Sequence, residues 1–368
     1  MFGILFGAGA SFGSEPEPSI PTPPLGRDLF AQIKEKLVGP RLRIDVMHRL
    51  YGDHWQMYGV APAEALTAPQ TIEQWVKFVS NEALQAFSGG DFEMGMKLIA
   101  DSVDARRAEY LTTHLMSPIN EYDGSTLPFR IMAEVASALH KFRPSFSNLY
   151  FEVLDALPNG SHVATLNYDA LVENVAVWRR INLLEPASVS LKTIFQNPTK
   201  ELNYYQLHGG VTLLSLWQGR SGLPPDMVMH SDVQRANAAM WAFSLANGRG
   251  EAVVHAPEET YEEEKDRAVL SYYHPNKTTV ICPNVIDDIQ QAFRKALGDS
   301  ISALIVIGCR FTPHDTHIWK SIEEFGGDVY WVGSEPTPPN KNLKVIGSRF
   351  GDSLALIKDV IKSANVVP

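Results

Sequence analysis

Four short stretches of this chain combine residue types that could hold an anion, orient a sugar or a water, and move a proton. Gly7-Ala8-Gly9-Ala10-Ser11 has two glycines that let backbone amides approach a pyrophosphate, and Ser11 adds a hydroxyl donor. The run also fits a plain strand-to-loop turn: Phe12 stands three places after Gly9 and the next glycine is Gly13, a departure from the dinucleotide fingerprint of dehydrogenases. Asn167 could hydrogen-bond hydroxyls or hold a water, and Asp169 could order the loop, although Asn-x-Asp before a helix is also a common capping device. His208 puts a titratable imidazole beside Gly209 and Gly210, where a ligand could come close; a satisfied structural histidine fits the same setting. The fourth stretch carries Gly308, Arg310 and Asp315, while His114, His140, His230, His255 and His274 have no comparable context.

What unites these residues is that each group follows a short stretch that reads as a strand. Phe2 to Phe6 ends at the glycines, His162 to Leu166 ends at Asn167, Tyr204 to Leu207 ends at His208, and Ala303 to Ile307 ends at Gly308. Further strands are expected at Thr278–Ile281 and Val329–Val332, with helices at 25–38, 170–179, 286–297, 314–325 and 352–363. Alternating strands and helices predict an α/β fold, a Rossmann-like doubly wound parallel sheet, in which ligands lie beyond the carboxyl ends of the strands. Residues 14–24, rich in Pro and Glu, must be loop. Spacings such as Trp75, Phe78, Val79 and Met132, Val135, Ala136, Leu139 make 40–154 a large helical insertion within one domain spanning 1–368. The segment from Trp217 to His274, with an acidic run at 258–264, could cover a substrate as a lid.

Composition narrows the function classes. The chain has 368 residues, 45% hydrophobic and 20% charged, enough to bury a substantial core. A net charge of −10 with only scattered pairs such as Arg41/Arg43 and Arg106/Arg107 argues against direct nucleic-acid binding, which needs clustered cations. Two cysteines, Cys282 and Cys309, cannot build a disulfide framework or a four-thiolate zinc site. The apolar start lacks a basic leader and no run is long enough to span a bilayer, so a soluble, cytoplasmic protein is expected.

Taken in order, Gly7-Ala8-Gly9-Ala10-Ser11, Thr165-Leu166-Asn167-Tyr168-Asp169, Leu207-His208-Gly209 and Ile307-Gly308 with Asp315 resemble the SIR2-like, sirtuin-related NAD-binding family. The resemblance runs from the first strand to about residue 335, without a counterpart for the helical stretch 40–154. It implies catalytic roles for Asn167, His208 and Asp169, and NAD contacts for Gly7 to Ser11, Thr165, Gly308, Cys309 and Arg310. Departures matter equally. The cysteine-rich zinc module of sirtuin deacylases is impossible here, Leu166 replaces their glutamine before the motif Asn, and only Ile20-Pro21 remains of the segment after their glycine loop. What is left resembles bacterial SIR2-like effectors of antiphage immunity.

That resemblance implies a NAD+ glycohydrolase with NAD as substrate and no metal required, gated by homo-oligomerisation or by an ATPase or nucleotide-sensing partner. Cleaving a cationic glycoside releases neutral nicotinamide, so the reaction needs a stabilised ribosyl cation and a delivered water more than an acid. Three rivals stay open: a NAD or ADP-ribose sensor without turnover, and a zinc-less ADP-ribosyltransferase or deacylase. A dehydrogenase fits least, because no acidic ribose partner stands at the expected distance.

Overall fold

The fold is seen in a computed structural model that describes residues 1–33, 81–89, 135–186, 195–215 and 283–364, apart from 312–314 and 335, with shorter pieces at 94–95, 98, 189–191, 252–254 and 268–271. Five apolar residues, Phe2–Phe6, form β1, and every one of them is buried. Such a strand suits the middle of a parallel sheet, where both faces are covered. β1 pairs in parallel with β2 (His162–Thr165) on one side and β9 (Ala303–Ile307) on the other. The remaining strands of this sheet are β3 (Ile181–Leu184), β5 (Lys200–Gln206), β10 (Asp328–Val332) and β11 (Leu343–Gly347). All seven are parallel, in the order β11-β10-β9-β1-β2-β5-β3.

The alternation of side chains on β1 and β9 assigns two helical layers. Phe2, Ile4, Phe6, Ala303, Ile305 and Ile307 pack with α4 (Leu149–Ala156), α5 (Leu171–Arg179) and α8 (Phe350–Ala364). Leu5, Leu304 and Val306 pack the other way, against α6 (Pro283–Asp299) and α7 (Thr316–Glu323). Helices on both faces of a parallel sheet make this a Rossmann-like, doubly wound α/β fold, as the strand and helix pattern predicts.

Other described helices are α1 (Ala8–Phe12), α2 (Gly26–Ile33) and α3 (Asn81–Ser88). Most of 40–154 lies outside the described residues, as do the expected strand 278–281 and most of the segment from Trp217 to His274. The pieces of 40–154 that are described include α3 and a helical turn at 135–139. α4, whose first residues fall within the same span, belongs to the body of the fold: Tyr150, Phe151, Val153 and Leu154 pack on the sheet. A smaller second sheet, unforeseen from the sequence, has the order β4-β7-β6-β8, formed by Val189–Leu191, Ala252–Val254, Gly209–Ser215 and Ala268–Leu270 respectively. β6 begins directly after His208, where a glycine turn was expected; Gly209, at φ +75°, redirects the chain and the strand follows at once.

Candidate active site

Register brings the candidate residues to one edge. Phe6 is paired with Thr165 and with Ile307, Thr165 with Gln206, and Ile307 with Val332, so five parallel strands end at a common level. Gly7, Asn167, His208 and Gly308 lie one or two residues beyond it. From β1 the chain runs outward to one side through β2 and β5, and later to the other through β9 and β10, which makes the β1/β9 boundary the switch point of the sheet.

At that boundary the two turns close on each other. The Gly7 amide donates to Ile307 O at 2.9 Å, the Gly9 amide to Gly308 O at 2.9 Å and the Ala10 amide to Gly7 O at 2.8 Å. A Cβ on Gly308, which sits at φ +66°, would lie 2.0 Å from Ala10 N. Glycine is required here first for contact between backbones. Three of the five amides from Gly7 to Ser11, those of Gly7, Gly9 and Ala10, thus meet backbone carbonyls, and Ala8 is exposed at the turn.

Ser11 is tied to neighbouring side chains. It is 1% exposed, and its Oγ lies 2.9 Å from the Tyr150 hydroxyl and accepts from Asn167 Nδ2 at 2.8 Å. Asn167 is held from a second side by its own amide, which donates to Thr165 Oγ1 at 3.0 Å. Thr165 is thus a support for Asn167, with 2% exposure. Asn167 is itself buried, and its Oδ1 has no hydrogen-bond partner among the described residues. A buried acceptor left unmade costs about 1–3 kcal/mol, so this oxygen is a natural point for a ligand hydroxyl or water. Asp169 accepts from the Leu171 amide at 3.1 Å at the start of α5. Burial raises its pKa, and hydrogen bonds from Leu171 and Ser11 partly offset that.

His208 is 5% exposed and lies in a stiff setting. Ser271 N donates to its carbonyl at 2.8 Å and Gln290 Nε2, from α6, donates to Leu207 O at 2.9 Å. Its Nε2 is 3.2 Å from Nε2 of His317, on the first turn of α7. Asp315, just before α7, completes a group of three whose ligand atoms all lie within 4.8 Å of one another. His317 has no counterpart among the residues expected from sequence; the signal that could point to it is Asp-x-His shortly after a buried strand. Cys309 is buried with its thiol pushed up by burial and by the Asp315 charge, and it packs against Gly7. Arg310 is exposed beside it.

The structure therefore gathers Asn167, Ser11, Thr165 and Asp169 into one bonded group with Tyr150, and His208 into a second with Asp315 and His317. Asn167 bonds toward the layer that holds α4, whereas His208 bonds toward α7 in the opposite layer. A substrate engaging both would straddle the edge of the sheet above β2 and β5.

Fold and strand-end loops together define a Rossmann-like α/β protein whose candidate site lies at the carboxyl edge of the sheet. No family model matches the chain, and no curated protein does. Among solved structures, a Sir2 homologue carrying a His-to-Asn mutation, in complex with ADP-ribose, is similar at 12% identity with a TM-score of 0.32, over 66% of this chain and 79% of that one. A Sir2 homologue with a Ser-to-Ala mutation, also in complex with ADP-ribose, gives 13% identity and a TM-score of 0.30 over the same shares.

Proposed function

We propose that this protein is a NAD+ glycohydrolase that cleaves the nicotinamide glycosidic bond and yields ADP-ribose and nicotinamide, and that it depletes NAD in antiphage defence. The observation that carries the reading is the buried Oδ1 of Asn167, unpartnered among the described residues, at the end of β2. It sits one strand from the sheet's switch point and one strand from His208. In a doubly wound sheet that edge is where nucleotides bind, and a ribose hydroxyl or a water is the donor such an acceptor needs.

In the proposed reaction Asn167 Oδ1 accepts a hydrogen bond from a ribose hydroxyl or from the attacking water. The C–N glycosidic bond breaks, its electron pair leaves with neutral nicotinamide, and the oxygen of water bonds to the ribosyl carbon. His208, as a neutral imidazole, takes the proton released from that water. Ser11, Thr165 and Tyr150 fix Asn167, and Asp169 fixes the start of α5. The SIR2-like order of the motifs supports the choice of NAD, and self-assembly or a nucleotide-sensing partner is the proposed gate.

The test is chromatography of NAD incubated with wild type, Asn167→Ala and His208→Ala. Nicotinamide and ADP-ribose should appear with wild type, and each substitution should slow them by about a hundredfold or more. Equal release by all three would overturn the mechanism, and wild-type binding of NAD without release would replace hydrolysis by sensing.

A further inference from the structure

The His208, Asp315 and His317 group has a geometry that proton transfer alone does not require. We infer that these three side chains bind a borderline divalent cation of the Zn2+ class. Two imidazole nitrogens and a carboxylate oxygen are the donor set of three-ligand zinc sites, which keep a further position for water or another ligand. The separation of the nitrogens agrees: ligands about 2.0–2.1 Å from zinc at a tetrahedral angle stand about 3.3 Å apart, and the two Nε2 atoms are 3.2 Å apart. Asp315 lies within 4.8 Å of both, so its carboxylate closes onto the ion by a small side-chain rotation.

Placement of the ligands is set by well-packed elements. Ile318, Trp319 and Ile322 anchor α7 in the core, which holds Asp315 and His317 two residues apart at the start of the helix. Hydrogen bonds from Ser271 and Gln290 fix the backbone around His208. Donors preorganised on separate rigid elements lower the cost of assembling a coordination sphere. Asp315 is 5% exposed, beside the two imidazoles.

The site has a consequence that does rest on the hydrolase reading. A cation on Nε2 of His208 occupies the lone pair that would accept the proton from water, so the loaded protein is the silent form and the metal-free protein the active one. Binding itself is measured without NAD, which keeps the two ideas separable.

Calorimetric titration of the chelator-treated protein with ZnCl2 alone should show one equivalent bound, with affinity at least about tenfold weaker in Asp315→Asn and in His317→Ala. Wild-type protein supplies a second readout that depends on no variant. One equivalent of Zn2+ should protect His208 and His317 from carbethoxylation by diethyl pyrocarbonate, read by mass spectrometry, while His140 reacts at the same rate with and without the ion. Absence of binding, unchanged affinity in both variants, or unprotected rings at 208 and 317 would each overturn the site. Loss of NAD cleavage on adding Zn2+, restored by chelator, tests the silencing; zinc binding without inhibition would leave the site standing and remove that consequence.

Discussion

Gly308 and Gly298 show how differently the same residue type is constrained. At Gly308 a side chain would be forced into φ +66° with its Cβ 2.0 Å from Ala10 N, so Gly308→Ala should cost more than about 2 kcal/mol. Gly298 lies in α6 with nothing within 4 Å of a built Cβ, and Gly298→Ala should stabilise by about 0.5–1 kcal/mol. Chemical denaturation reads both, and the turn model fails if Gly308→Ala is as mild as Gly298→Ala. Glu173 gives a prediction in pH. It is 4% exposed, accepts from Gln206 Nε2 at 2.5 Å and from Thr212 Oγ1 at 3.0 Å, and is pushed up to about 7 by burial, with the Asp169 charge adding to the shift. Below the usual value of 4.5 both folded and unfolded chains hold the proton; between there and about 7 the unfolded chain gives it up first, so this group's contribution to stability falls as pH rises. At about 1.4 kcal/mol per unit, the rise from 4.5 to about 7 amounts to about 3 kcal/mol. Glu173→Gln should therefore gain on wild type between about pH 5 and about pH 8 in melts run side by side, and a gap that shrinks over that range would contradict the assignment. Asn167 and His208 were legible in the sequence because each follows a short stretch that reads as a strand, His162 to Leu166 and Tyr204 to Leu207. Tyr150, Glu173 and His317 were not, because each owes its place to tertiary packing between elements far apart in the chain.

The same contrast holds among the elements. β1, β2, β9 and β10 are interior strands, paired on both sides, and apolar residues run unbroken through β1, through β9 and through Val329–Val332 of β10. β3 and β11 are the two edges of the large sheet, and β11 is half exposed along its length, so neither carries that signal. Strands of three residues, as in β4, β7 and β8, are too short for any period to show. α7 was legible because Ile318, Trp319 and Ile322 recur on one face while Lys320 stays outside. That face places His317, so its packing bears on the proposed cation site. Ile322 is fully buried, and Ile322→Ala should cost about 2–5 kcal/mol, against less than about 0.5 kcal/mol for Lys320→Ala. Urea titration of the two variants settles it: near-equal midpoints would mean that α7 is not anchored through this face.

At the level of the whole molecule, a net charge of −10 with only scattered cationic pairs disfavours direct nucleic-acid binding, and the proposed draining of NAD would call for a restraint. No helix among the described residues is long and apolar enough to cross a membrane. Gating by self-assembly is the reading carried by the motif resemblance, and it makes a quantitative claim about concentration. If the active form is an oligomer, specific activity rises with protein concentration through the association range and then levels off, because mass action sets the active fraction. If each chain is competent alone, specific activity is flat over the whole range. Nicotinamide release measured across a thousandfold dilution series, with light scattering on the same samples, separates the cases. Full specific activity from a strict monomer would defeat the assembly gate and leave the cation site or a partner protein to hold the enzyme in check, whereas activity that tracks the oligomer would locate the restraint in the subunit contacts.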